Sequence, residues 1–282
     1  MEDFDEVYNE LDNRQYSKEE YASYKQQERQ EVFDLLETAT EKISRNSNGF
    51  KKYLDSQSKF DQYSVANNIL ISAQMPEATR LKDFEGWRNL RMYPKKGHKR
   101  VKILDVSGHY MAEDGTLRNS YDVKYLVDVS ELRNRPRTRP IKYNDKILLK
   151  IFLNSSDAKV EIVDSIPNTE KSASYNANED TLYVKRGAVA PQIFYEVTNE
   201  LAKREIGEDA FKNNCVSYML CKKYDIDVSK FNFDSISQEF RDMGTKEVRA
   251  ELEPTQRAMK SISDNISRQI HSLIKENRAK ER

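Results

Sequence analysis

Tyr63-Ser64-Val65-Ala66-Asn67-Asn68-Ile69-Leu70-Ile71 runs through Gln74-Met75-Pro76 and Ala78-Thr79 to Phe84-Glu85-Gly86-Trp87. Lys95-Lys96-Gly97 and the alternating Val101-Lys102-Ile103-Leu104-Asp105-Val106 follow. The first piece predicts a helix over 63–75, stopped ahead of Pro76, because the residue before a proline is pushed out of the helical region. Phe84 and Trp87 predict a short helix, Pro94 to Gly97 a turn, and Val101 to Val106 a strand. Helices leading into a small sheet place this region of the chain in the α+β class.

Upstream, Val32, Leu35, Leu36, Ala39 and Ile43 recur at helical spacing over 29–45. Ser17 followed by Glu20 has the form of a capping box. Asn46-Ser47-Asn48-Gly49 reads as a stop, with a short helix around Phe50 to Leu54 after it. Downstream, His109 to Asn119 reads as a loop or hairpin tip and Tyr121 to Val129 as a second strand. The Arg/Pro-rich connector 133–142 is the best domain boundary, separating an N-terminal domain, residues 1–135, from a C-terminal domain, residues 145–282. In the C-terminal domain Ile147 to Leu153 fits helix or strand. Val160 to Val163 and Thr181 to Val184 read as strands, with a polar turn region, Ala173 to Glu179, between them. Helices are expected over about Pro191–Arg204, Asp209–Tyr224 and from Lys246 onward. In the last, Met259, Ile262, Ile266, Ile270 and Leu273 make one apolar stripe.

The chain has 282 residues, 37% hydrophobic and 33% charged, which suits a globular protein with a wet surface. No apolar run reaches the roughly 18–20 residues of a membrane helix. The acidic start, Met1 to Glu6, is unlike a secretory signal, so a cytoplasmic protein without a membrane role is expected. Cys215 and Cys221 do not have the close spacing of a zinc knuckle and read as two partly buried thiols.

The formal net charge is zero, but it is unevenly spread. Residues 1–60 carry 9 basic and 14 acidic side chains, 61–150 carry 18 and 11, and 151–282 carry 20 and 22. A basic middle points to a polyanion partner. One cluster is Arg88, Arg91, Lys95, Lys96, Lys99, Arg100 and Lys102, with Phe84, Trp87, Tyr93 and Tyr110 beside it. A second is Arg133, Arg135, Arg137, Arg139 and Lys142. Cations that release counterions from phosphates, interleaved with rings on which bases stack, are what a sequence-tolerant single-strand binder needs. The same residues also fit a solvated surface over core aromatics, with Trp87 in the core.

The ordered series from Tyr63 to Val106, ending in Val127-Asp128-Val129-Ser130, resembles the N-terminal domain of the ArdC-type antirestriction proteins of mobile genetic elements. The resemblance spans about 60–132. It departs at Leu90-Arg91-Met92-Tyr93-Pro94, where that family has a glycine-containing turn. It implies single-stranded DNA binding, with RNA as a further possibility, in the protection of entering plasmid or phage DNA. The matching positions are Tyr63, Asn67, Trp87, Lys95 and Lys96; Arg88, Arg91, Tyr93, Lys99, Arg100, Arg135 and Arg137 are added as contacts from charge and aromatic content.

In that family a zinc metallopeptidase-like domain follows, and residues 160–204 resemble its strand, turn, strand and helix. An H-E-x-x-H helix puts two imidazoles on one face to hold zinc, with the glutamate as base toward the bound water. Here Phe194-Tyr195-Glu196-Val197-Thr198-Asn199 carries Tyr195 and Asn199 at the histidine positions and keeps only Glu196. The third ligand position, on the next helix, falls on Asn214. A phenol and neutral amides are poor zinc ligands. The resemblance therefore implies a mostly helical, zincin-like pseudo-peptidase half with neither metal nor cofactor. Three roles fit the chain: a non-catalytic single-strand binder, an inhibitor that grips a host defence nuclease through protein contacts, and a hydrolase with a relocated metal site.

Overall fold

The computed structural model describes residues 17–134, 143–167, 169–188 and 190–280. Helix α1 (Lys18–Arg45) starts at the expected capping box. Glu20 N–H donates to Ser17 Oγ, and the Glu20 carboxylate accepts from Ser17 N–H. The helix is longer than its apolar stripe over 29–45 suggests, because its first turns are exposed and carry no stripe. Asn46 ends α1 and caps α2 (Ser47–Lys59) by accepting from Gly49 N–H at 2.9 Å. Ser64 caps α3 (Val65–Gln74).

The first sheet has the order β1-β3-β2, built from β1 (Leu81–Lys82), β2 (Val101–Met111) and β3 (Leu117–Asp128), all antiparallel. The short α4 (Phe84–Asn89) lies between β1 and β2 in the chain. Of the loop or hairpin tip expected over His109–Asn119, the structure has the hairpin: His109 pairs with Asn119, Tyr110 with Arg118 and Met111 with Leu117, leaving a tight turn around Gly115. This end of the hairpin stands clear of the core, so the burial-driven alternation that marks a strand is missing. Met111 is 66% and Leu117 69% exposed.

In the C-terminal half, 147–153 lies in helix α5 (Asp145–Ser155), N-capped by Asn144, with Leu148, Ile151 and Phe152 buried. A mixed sheet follows, order β4-β6-β5, with β4 (Lys159–Val163) parallel to β6 (Thr181–Lys185) and β5 (Ala173–Asn176) antiparallel to it. The turn expected over Ala173–Glu179 is therefore corrected: its first four residues are a strand. This polar strand is held by partners from a later helix, a signal that local sequence does not contain. Then come α6 (Gln192–Ile206), α7 (Ala210–Lys223), the short α8 (Ile236–Glu239) and the long α9 (Thr245–Lys280).

The largest apolar cluster draws on both sides of the 133–142 connector. Phe50, Tyr53 and Leu54 of α2 share it with Cys215, Met219, Phe233 and Phe240. Phe50 packs against Phe211, Phe233 and Phe240 at ring-centre distances of 5.8, 5.4 and 6.2 Å. Polar ties follow the same route: Tyr218 donates to Asp55 at 2.8 Å, and Lys223 pairs with Asp61 at 2.5 Å.

Candidate functional site

The most specific residues of the 63–130 series build the scaffold. Asn67 accepts from Leu104 N–H and donates to Leu104 carbonyl, both at 2.9 Å. Gln74, two turns on, accepts from Lys102 N–H at 2.9 Å and donates to Lys102 carbonyl at 2.8 Å. Two amide side chains thus satisfy both backbone groups of alternate residues on β2, as a neighbouring strand would, and cover that sheet edge. Asn67 was expected to contact nucleic acid; its amide is buried and taken up by the strand, while the residue also lines the cavity described below.

The assignment of Trp87 as a stacking ring is corrected. Its side chain is 0% exposed and its Nε1–H donates to Val127 carbonyl at 2.8 Å, so no base can stack on it. Asp128, also buried, accepts from Thr79, Arg80 and Ser130 N–H at 2.8, 2.8 and 2.9 Å. Gly86 N–H donates to Asp83 Oδ1 at 2.8 Å, and a Cβ at position 86 would lie 2.8 Å from that same oxygen, which explains why glycine suits this place.

The cations behave differently. Arg88, Arg91, Lys95, Lys96, Lys99 and Arg100 are all exposed, and the stretch 88–102 contains no acidic residue. Among the described residues, Arg88, Arg91, Lys96, Lys99 and Arg100 form no ion pair. Lys95 is pinned, its backbone N–H donating to Glu131 carbonyl at 2.9 Å and its Nζ to Ser130 carbonyl at 2.9 Å. Arg100 lies 5.5 Å from the centre of the Tyr125 ring. Tyr93 is 40% exposed, so its ring is accessible among these charges. The turn is therefore fixed at its base and charged on its outside. Arg135 and Arg137, with the rest of the second cluster's 135–142 stretch, lie outside the described residues.

In the C-terminal half, Tyr195 and Asn199 sit one turn apart on α6, and Asn214 is on the adjoining α7. Tyr195 packs edge-on against Phe231, ring centres 5.0 Å apart. Glu196 is buried and fully engaged: it accepts from Ser172 and Ala173 N–H and from the Gln192 side chain. One turn on, buried Glu200 accepts from Tyr175 N–H at 3.0 Å and pairs with Lys171 at 3.1 Å. Two helical carboxylates thus bind the N–H groups of β5 and of the residue before it.

This donor set does not fit a zinc ion. Its phenol and amides are weak ligands, its one carboxylate is spoken for, and among the described residues no three His, Cys, Asp or Glu side chains group to hold a metal. Burial pushes the Cys221 thiol up to about 11 and Cys215 well above its ordinary value, so both stay protonated. Replacing Glu196 with alanine leaves the Ser172 and Ala173 donors without a partner. It is expected to cost about 2–3 kcal/mol, with glutamine recovering some of this, read from urea midpoints. Wild-type midpoints in both variants would show that the carboxylate does not hold the strand.

No protein-family model and no curated protein matches the chain. Among solved structures, the metal-free antirestriction protein ArdC from plasmid R388 matches over 83% of this chain and 98% of its own, with a TM-score of 0.52 and 13% identity. Its Mn(II)-bound structure matches equally, over 82% and 98%. The fold is that of ArdC. At this identity the likeness concerns the path of the chain.

Within the ArdC fold, Tyr63 and Asn67, together with residues that the sequence did not single out, line a cavity of about 310 Å³ between the start of α3, the three strands and the start of α4. Lys124 sits there between Asp83 at 3.1 Å and Asp105 at 3.8 Å. The Gly86 N–H, and Lys124 against the opposing effect of burial, hold the Asp83 carboxyl below its usual range. Tyr63, half-buried, lines the same cavity. Burial pushes its phenol up; Lys124 opposes and Asp83 adds to the shift. The helical and strand patterns around 63–126 place these side chains, but only the tertiary arrangement brings them together. Among the described residues no helix is long and apolar enough to cross a membrane.

Proposed function

We propose that the protein is a non-catalytic antirestriction factor of a plasmid or phage that binds single-stranded nucleic acid, DNA in the first place. The observation that carries this reading is the acid-free stretch 88–100, whose exposed cations flank an exposed Tyr93 in sequence and whose base is pinned to the segment that follows β3. Phosphates meet cations that need not first be freed from carboxylate partners, and an accessible ring is at hand for a base. The ArdC fold supports the antirestriction context. The engagement of Glu196, with Tyr195, Asn199 and Asn214 at the ligand positions, supports a second half that does not cut peptides.

The hairpin end favours a second reading. Residues 105–122 carry four acidic side chains and one basic, together with the exposed Val106, Tyr110, Met111 and Leu117. An acidic, apolar arm suits a host protein better than a polyanion.

Fluorescence anisotropy of a labelled single strand, with a matched duplex and an RNA strand as controls, separates these readings. The expected result is salt-sensitive binding that favours the DNA strand over the duplex. No binding at low salt overturns the first reading and leaves the arm, tested by co-purification with a restriction nuclease.

A further inference from the structure

We propose that the cavity beside Tyr63 receives one unstacked base of the bound strand and prefers cytosine to thymine. This rests on the single-strand reading above. At about 310 Å³ the cavity stands at the small end of ligand pockets, a size for one planar ring and not for an extended ligand. Tyr63 and the buried Leu81 and Leu126 give it the aromatic and aliphatic surface on which a base face rests.

Charge argues for a base and against a phosphate. The charged lining side chains, Lys82 and Lys124 against Asp83 and Asp105, balance to zero. Asp83 is committed to Gly86 N–H and Lys124, whereas Asp105 is exposed and meets Lys124 only at 3.8 Å. A carboxylate accepts and does not donate. It suits the exocyclic amine of cytosine and disfavours thymine, which presents a carbonyl oxygen there.

Connectivity ties the cavity to the basic turn. Gly86, which lines it, stands two residues before Arg88 on α4, and β2, which supplies Asp105, begins directly after Arg100. Filling the cavity requires that a strand whose phosphates lie on those cations places a base in it.

The test measures anisotropy of oligo-dC and oligo-dT of about 12 nucleotides on the full chain. Wild type, Tyr63→Ala and Asp105→Asn are compared. Saturation-transfer NMR with cytidine and thymidine monophosphates is run on the same samples. Tyr63→Ala is expected to lower affinity for both strands about tenfold. Asp105→Asn, at an exposed position that the fold tolerates, is expected to remove an about tenfold preference for dC. Equal wild-type affinity for both strands, unchanged in the two variants, overturns the cavity and leaves the basic surface standing. Cytidine signals that vanish in Tyr63→Ala, without any strand binding, uphold the cavity and overturn the single-strand reading. Silence in both measurements overturns both.

Discussion

Alanine at Arg88, Arg91, Lys96 and Lys99 together is expected to lower affinity for single-stranded DNA by about a hundredfold near 50 mM salt, and to flatten its salt dependence. For single strands each phosphate contact contributes about −0.7 to the slope of log affinity against log salt, so losing four contacts removes up to about 3 from it. The four side chains are exposed and form no ion pair among the described residues, so the variant keeps its fold. A circular dichroism melt checks this. Lys95 is left alone because it ties the turn to Ser130. A variant that binds with the parent's slope would show that the strand lies elsewhere, and the basic stretch would then be ordinary wet surface.

Trp87→Ala acts by another route. The ring is fully buried against Val127 and Leu132, and its Nε1–H satisfies the Val127 carbonyl. Truncating a buried tryptophan costs about 3–5 kcal/mol, a large share of the roughly 5–15 kcal/mol that holds a domain folded. Heating or urea should unfold this variant well before the parent. Whatever strand binding it loses should track the unfolded fraction. Trp87→Phe keeps most of the ring volume and orphans one carbonyl, a cost of about 1–3 kcal/mol. At temperatures where it is folded, its affinity for DNA should stay within about twofold of the parent, since stacking on the bound base is not its task. A folded Trp87→Phe with a tenfold defect would place the ring in the interface after all.

These two expectations divide what the sequence could and could not reveal. Periodicity and caps located most of the helices, leaving 147–153 open between helix and strand and missing the short α8, and the order of Tyr63, Asn67, Gln74, Trp87 and Asp128 pointed to the right fold. That same order was misleading about contacts. Residues shared along a resemblance mark what the scaffold needs as readily as what the ligand needs: Trp87 belongs to the scaffold, and Asn67 ties α3 to β2 while also lining the cavity. The exposed cations were legible from charge alone, because a side chain with no acidic neighbour in sequence has few ways to be neutralised locally. The cavity was not legible, since Tyr63, Asp83, Asp105 and Lys124 come from four separate stretches. Strand β5 was hidden for a similar reason: its N–H groups are bound by Glu196 and Glu200, some twenty residues further along.

The apolar cluster joining Phe50, Tyr53 and Leu54 to Met219, Phe233 and Phe240 has a consequence for descent. Each of these side chains fills space left by the other half, so deleting either half would strip cover from the one that remains. A lineage that stops using one half for chemistry must still inherit it. What must be kept is its volume and its backbone partners, among them the hold of Glu196 on the N–H groups of Ser172 and Ala173.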